Sequence, residues 1–481
     1  MVHRGSLLTL LTLSGSLVAQ SPQHESYTAS SFPSRAVVPP KDDNSNPPIL
    51  VNISKLPKTV EVNITAAVTT LSLQPGVTSE VFAYNGRVPG PTLDVREGDH
   101  VIVHFRNNLP EPTTIHWHGI HLPFESDGSP FDPIAPGGTH DYAFTARPGT
   151  AGTYWYHPHP DQRTGFAIGK GLFGGIIVRA ADDPLPAMPE KLIILSDNRF
   201  LKDGAIDFPD SHSHHGGVDE ENGREGPVLF VNGHLMPTLT IRSGEVQRWR
   251  IVNGSAGRIY RIALSGHTFL HVGSDGGLFE KPVEVKEILL TTGERVELLV
   301  RGTDAPGTKT VLQNLPYDRY APQTRPSDWE TTRDLLTLQT TNEAPVTPVA
   351  IPATLRRIPA LDTMKATAVR TVVFSQGLIN GKTMDMSRVD VSTTVGATEI
   401  WEIENIVGMD HPFHLHGFQF QVLERDGVPE PYRSWKDMLN IPKHTSARII
   451  VRYDDYPGKW MFHCHILDHE DHGMMGVLEV K

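Results

Sequence analysis

The 481-residue chain has a single cysteine, Cys464. One thiol cannot close an internal disulfide, so no disulfide framework supports the fold. Basic residues are in deficit: 43 Lys and Arg stand against 55 Asp and Glu, a net charge of −12. A nucleic-acid binder would carry the opposite balance. Beyond residue 20 no apolar run is long enough for a membrane helix. Methionine is scarce, 11 in all, with no methionine-rich run. Turn formers are plentiful, with Gly 42 and Pro 39. They favour a turn-rich β architecture over a helical one. Mean hydropathy of −0.26 and 38% hydrophobic residues suit a packed globular chain. The length suggests two to four domains.

The start, "MVHRGSLLTLLTLSGSLVAQ", places Arg4 before a short apolar run that ends near Ala19. It reads as a secretory signal over 1–20, too short to span a bilayer comfortably, so export to a periplasm or medium is expected. Residues 21–49 read as a flexible leader.

The chain repeats itself with a period of domain size. "FAYNGRVPGPTLDVREGDHVIVHFRNNL" from Phe82, "LFVNGHLMPTLTIRSGEVQRWRIVNG" from Leu229 and "GLINGKTMDMSRVDVSTTVGATEIWEIENI" from Gly377 share one plan. Each runs from an Asn-Gly turn through alternating apolar and polar residues to a glycine and a second alternating strand. The expected fold is all-β: three tandem Greek-key barrels or sandwiches over 50–180, 181–341 and 364–481. The Pro-rich stretch 342–363 is the expected linker.

Histidine motifs follow the same repeat. "TTIHWHG" (113–119) matches "DHPFHLHG" (410–417), and "GTYWYHPH" (152–159) matches "GKWMFHCH" (458–465). The middle segment has no paired histidines at the equivalent places, which makes it a spacer that lets the other two face each other. Along a strand, residues i and i+2 share a face. His116 with His118, His157 with His159, His414 with His416, and His463 with His465 are therefore expected to project in pairs into one cleft. Eight imidazoles suit a cluster of copper ions. Cys464 alternates with its two neighbours, so its sulfur points the other way, where it can meet His411 and His469. Two histidines, a thiolate and a weak axial Met474 make a blue-copper electron-transfer site. Zinc is less suited to that set.

Together these motifs, HWHG, HPH, HPFHLHG and HCHILDHEDHGMM, resemble those of the three-domain, laccase-like multicopper oxidases, a family that includes bacterial laccases and periplasmic cuprous oxidases. The resemblance runs over residues 50–481 and implies cupredoxin-like domains with one type 1, one type 2 and two type 3 copper ions. It implies that His411, Cys464 and His469 bind the type 1 ion, with Met474 axial. His116 and His414 would bind the type 2 ion. His118, His157 and His465 would hold one type 3 ion, and His159, His416 and His463 the other. The implied reaction is one-electron oxidation of a donor at the type 1 site, coupled to four-electron reduction of dioxygen to water. Asp127 and Glu470 match the family's proton-delivering acids, and Asp468 is a further candidate beside a ligand.

The choice of donor is less constrained. Cuprous oxidases of the family often carry a methionine-rich insert, absent here, so small phenolic or related aromatic reductants are expected first. Outer-sphere electron transfer needs only that the donor come close to the edge of a type 1 histidine, so phenols of many shapes are expected to work. Met384, Met386, Met409 and Asp410 resemble the shorter cuprous site of the family and keep cuprous ion as an alternative donor. "DSHSHHGG" (210–217) reads either as a catcher of stray copper or as a solvated loop. A copper-binding resistance protein with incidental oxidase activity is the other alternative. A copper-free assembly protein of the same fold would lack Cys464 or several histidines, and this chain lacks none. A nitrite reductase would have two domains per chain. A monomer is expected.

Overall fold

The computed structural model describes residues 46–208 and 218–481. The expected signal, nearly all of the leader and the histidine-rich stretch 210–217 lie outside the described residues. Those described fold into six β-sheets in three successive pairs: four strands with four, then six with five, then six with five. The architecture is all-β and cupredoxin-like.

The three Asn-Gly turns show why the repeat folds this way. Asn85–Gly86, Asn232–Gly233 and Asn380–Gly381 all have positive φ at both residues (51° and 72°, 52° and 77°, 51° and 71°). Asn and Gly tolerate that backbone at low steric cost, and it matches the twist of the flanking strands. Each turn closes a bridge, Tyr84 to Arg87, Val231 to His234 and Ile379 to Lys382. The strand leading into each turn runs antiparallel to Thr59–Gln74, Glu190–Asn198 or Ala368–Ser375. Those three strands in turn run parallel to His100–Asn108, Val246–Asn253 and Thr398–Asn405. Period-2 patterning sets the faces: in His100–Asn108, Val101, Val103 and Phe105 are buried and their neighbours are not. No strand lies between Arg333–Thr340 and Ala368–Ser375.

Each pair closes on its own apolar core. Trp117, Tyr142 and Tyr156 centre the first, Trp249, Tyr260 and Phe269 the second, and Trp401, Phe413 and Phe462 the third. Trp401 meets Phe462 edge to face at 5.1 Å. Full burial of one such ring contributes about 1.5–3 kcal/mol, so the strands that carry the histidines are rigid supports.

In the first pair, His116–His118 runs antiparallel to Gly152–His157, with His116 opposite His157. In the third, His411–Leu415 lies between Met438–Ile441 and Gly458–Cys464, with His414 opposite His463 and Phe413 opposite Cys464. The two pairs also meet through the short helix Leu467–Asp471. Its Asp471 carboxylate accepts the Thr164 and Gly165 N–H groups, at 2.7 and 2.9 Å, at the start of the helix Thr164–Gly169. No helix among the described residues is long and apolar enough to cross a membrane.

Candidate metal centre

The eight paired histidines converge between the first and third sheet pairs. All are buried. His118 stacks on His414 at 3.9 Å and 9° between ring planes, and His116 on His416 at 3.9 Å and 24°. Their ring nitrogens form three triads within 4.8 Å: His116, His118 and His414; His118, His157 and His465; His159, His416 and His463. Within the third, His416 Nε2 lies 3.1 Å and His159 Nε2 3.5 Å from His463 Nε2.

The local chain explains the inward aim. His116 and His157 each donate from Nδ1 to a backbone oxygen, of Asp127 and Pro158, both at 2.9 Å. His414 does so to Asp437 and His463 to Cys464, also at 2.9 Å. Each ring is thereby oriented with Nε2 towards the cleft. The strand Gly152–His157 stops before Pro158, which has no N–H for a ladder. Thr114 Oγ1 then takes over, accepting the His159 N–H at 2.9 Å.

Burial, and then the neighbouring rings, push His118, His159, His414, His416 and His465 well below the usual histidine range. Burial also lowers His463 to about 3. Neutral imidazole is the form that offers a lone pair to a metal. Nε2 of His116 and of His414, and both ring nitrogens of His465, are buried without a hydrogen-bond partner. Each such orphan costs about 1–3 kcal/mol. Several in one cleft fit a group of imidazole-bound copper ions.

Cys464 ends the strand Gly458–Cys464 with its sulfur in the third core. His411 Nδ1 is 3.4 Å and His469 Nδ1 3.7 Å from Sγ. Burial pushes the thiol up. A buried thiolate therefore needs a cation beside it, which a copper ion would supply. Met474 packs in the same core, and its carbonyl accepts the Cys464 N–H at 3.1 Å. Met475 lies in a different cluster, with Met461 and Met384. From Sγ the backbone reaches His463 and His465 directly, and the Cys464 carbonyl reaches the His463 ring a second way.

The acids are buried, not solvated. Asp127 Oδ2 lies 3.0 Å from His416 Nδ1 and Oδ1 3.4 Å from His116 Nδ1. Glu470 lies 3.4 Å from His159 Nε2 and 3.3 Å from His463 Nδ1. Burial and the adjacent Asp471 push its carboxyl well above the usual range. Asp468 instead accepts the Arg224 N–H at 2.8 Å, tying its helix to the middle pair.

Other expectations change. Met384, Met386, Met409 and Asp410 differ in their surroundings. Met409 is in the third core, Met384 packs with Met461 and Met475, and Met386 is exposed. Asp410 is taken up by the Tyr317 hydroxyl (2.6 Å), Asn440 Nδ2 (2.8 Å) and the Lys443 N–H (3.1 Å). The His469 edge is covered. It is 5% exposed, and its Nε2 donates at 2.9 Å to the carbonyl of Glu221 in the helix Val218–Asn222. That segment walls a cavity of about 250 Å³ lined by Asn222, Tyr317, Tyr320 and Trp329. Sequence spacing gave no sign of Glu221, Asp437 or Arg295, which reach the site from distant parts of the chain.

Three family models described as multicopper oxidase match residues 65–183, 154–332 and 354–481. The multicopper oxidase mco of Staphylococcus aureus is 32% identical over 420 residues, 84% of each chain. The laccase of Bacillus subtilis is 26% identical, over 84% of this chain and 90% of that one. The solved multicopper oxidase of Campylobacter jejuni, titled a metallo-oxidase, superposes with a TM-score of 0.82 at 32% identity, covering 91% of this chain and 94% of that one.

Proposed function

The chain belongs to the multicopper oxidase family, copper-dependent oxidoreductases that use dioxygen, and from that premise we propose a laccase-like oxidase of small phenolic donors. His411, Cys464 and His469, with Met474 beside them in the same core, would hold the type 1 ion. His116 and His414 would hold the type 2 ion. His118, His157 and His465 would hold one type 3 ion, and His159, His416 and His463 the other. When bound, copper would supply the redox chemistry, one-electron oxidation of the donor at the cysteine site and reduction of dioxygen to water at the histidine cluster. Every other task falls to side chains. Cys464 joins the two sites through its own peptide bonds. Asp127, at His416 Nδ1, and Glu470, between His159 and His463, are placed to pass protons towards the cluster.

The observation that carries this reading is the placement of Cys464. Its sulfur faces His411 and His469 while its two chain neighbours face the cluster. The donor would approach through the cavity beside Glu221, one peptide away from His469. Tyr317, Tyr320 and Trp329 offer aromatic walls, and about 250 Å³ is below the usual range of about 300–1,000 Å³, which favours single-ring phenols. The occupied Asp410 and the dispersed methionines rank cuprous ion second. We infer export from the N-terminal "MVHRGSLLTLLTLSGSLVAQ", and a monomer is proposed.

The test is steady-state oxygen uptake with a single-ring phenol and with cuprous ion on one preparation. A higher efficiency with the phenol is expected. A much higher efficiency with cuprous ion would replace this reading with a metallo-oxidase. Copper retained without turnover of either donor would replace it with a storage protein.

A further inference from the structure

We propose that the middle sheet pair, which brings no histidine to the cluster, selects the nitrogen through which His118 binds metal. The inference rests on the reading that His118, His157 and His465 hold a copper ion.

His118 is turned around relative to its neighbours. His116, His157, His414, His416 and His463 all have Nδ1 on an oxygen that belongs to the cleft wall. His118 instead has Nε2 on the wall, 3.0 Å from Asp437 Oδ1, and Nδ1 in the cleft, 3.3 Å from His157 Nε2. The Nε2 contact is close without being a hydrogen bond. With metal between His118 Nδ1 and His157 Nε2, the proton is assigned to Nε2, where it faces the carboxylate oxygen and leaves the Nδ1 lone pair to the cleft.

Asp437 is itself fixed by Arg295 of the strand Arg295–Arg301, in the middle pair. The fork is bidentate, Nη1 to Oδ1 at 2.7 Å and Nη2 to Oδ2 at 2.5 Å, and Arg295 is fully buried. The guanidinium is held in turn by the carbonyls of Thr153 (3.1 Å) and Gly293 (3.0 Å). The turn before Arg295 lies against the same rings. Thr292 Oγ1 donates to the His465 carbonyl at 2.6 Å. A Cβ on Gly293 would stand 2.9 Å from His465 Nε2 and 3.2 Å from His118 Cε1. Partners that orient a metal-binding imidazole typically change metal affinity by about 10–100-fold when removed.

The test compares Asp437→Leu with Asp437→Asn in the full copper-loaded chain. Leucine keeps the volume without oxygens, whereas asparagine keeps an acceptor for His118 and Arg295. The readouts are copper lost from the cluster to a chelator, the near-ultraviolet absorption of the paired ions, and the blue band of the Cys464 site. Cluster copper in the leucine variant should be held about 10–100-fold less tightly, with an altered near-ultraviolet band and an unchanged blue band. If Asp437→Leu alone fails to fold because Arg295 is left uncompensated, the double variant Asp437→Leu with Arg295→Met is read the same way. Loss in the leucine variant, with or without loss in the asparagine variant, supports the inference. Wild-type retention of cluster copper by the leucine variant overturns it, as does loss of the blue band along with the cluster. A wild-type chain that never retains cluster copper would instead sink the metal assignment on which the inference rests.

Discussion

The outer sheet pairs and the middle one share a fold and differ in what they place on it. The same hairpin, with an Asn-Gly turn and a parallel partner strand, appears three times. Only the outer two follow it with strands that end in paired histidines. His271 shows what the middle pair has instead: a single buried ring bonded to the Gly273 carbonyl at 3.0 Å and packed on Phe279. Its job is core packing. The scaffold therefore does not dictate the chemistry, which lies in a few side chains grafted onto it. Yet the middle pair is more than the spacer its sequence suggests. Thr292, Gly293 and Arg295 form one wall of the cluster, and Glu221 covers the His469 edge.

The largest break in this comparison is Cys464→Ser. It removes the link between the donor side and the cluster. Donor oxidation should fall to background and the blue colour should vanish, while the eight histidines still hold copper. Visible absorption, copper content and oxygen uptake on one sample check this. Full activity in a colourless variant would mean that electrons reach the cluster by another route.

Asp127→Asn comes next. General acid–base help of this kind is worth about 10²–10⁴ in rate. Oxygen reduction should slow within that range with the resting blue band intact, and stopped-flow traces should show the blue copper staying reduced during turnover. Loss of the resting blue band would show Asp127 to be a support for the rings instead.

Gly293→Ala probes the middle pair alone. The position has φ +77° and the added methyl would press on His465. Copper retention at the cluster should fall about 10-fold or more, read by chelator challenge, while the Cys464 site stays blue. Unchanged retention would return the middle pair to the role of spacer.

Met474→Leu should give the smallest effect. It removes a weak donor to Cu(II), so the potential of the blue site should rise while copper stays bound. Met475→Leu should leave the potential where it was, because that side chain packs in another cluster. A redox titration of the two variants decides between them.

How far these features could be read from sequence depended on their range along the chain. Asn-Gly turns and i, i+2 histidine pairs are local rules, so the hairpins and the convergence of His116, His118, His157, His159, His414, His416, His463 and His465 were legible. Cys464 was legible because its neighbours fix its direction. Arg295 and Asp437 are 142 residues apart, and no spacing rule joins them. The partners of Asp410 were hidden for the same reason: nearness to His411 does not show that Tyr317 and Asn440 hydrogen-bond to it.

The most direct test of the central claim, one cysteine-bound copper joined to a separate histidine cluster, is to measure copper per chain and the visible spectrum on the same loaded wild-type sample. About four copper ions per chain in a blue protein are expected. A colourless protein with full copper, or a blue protein holding a single ion, would contradict that claim.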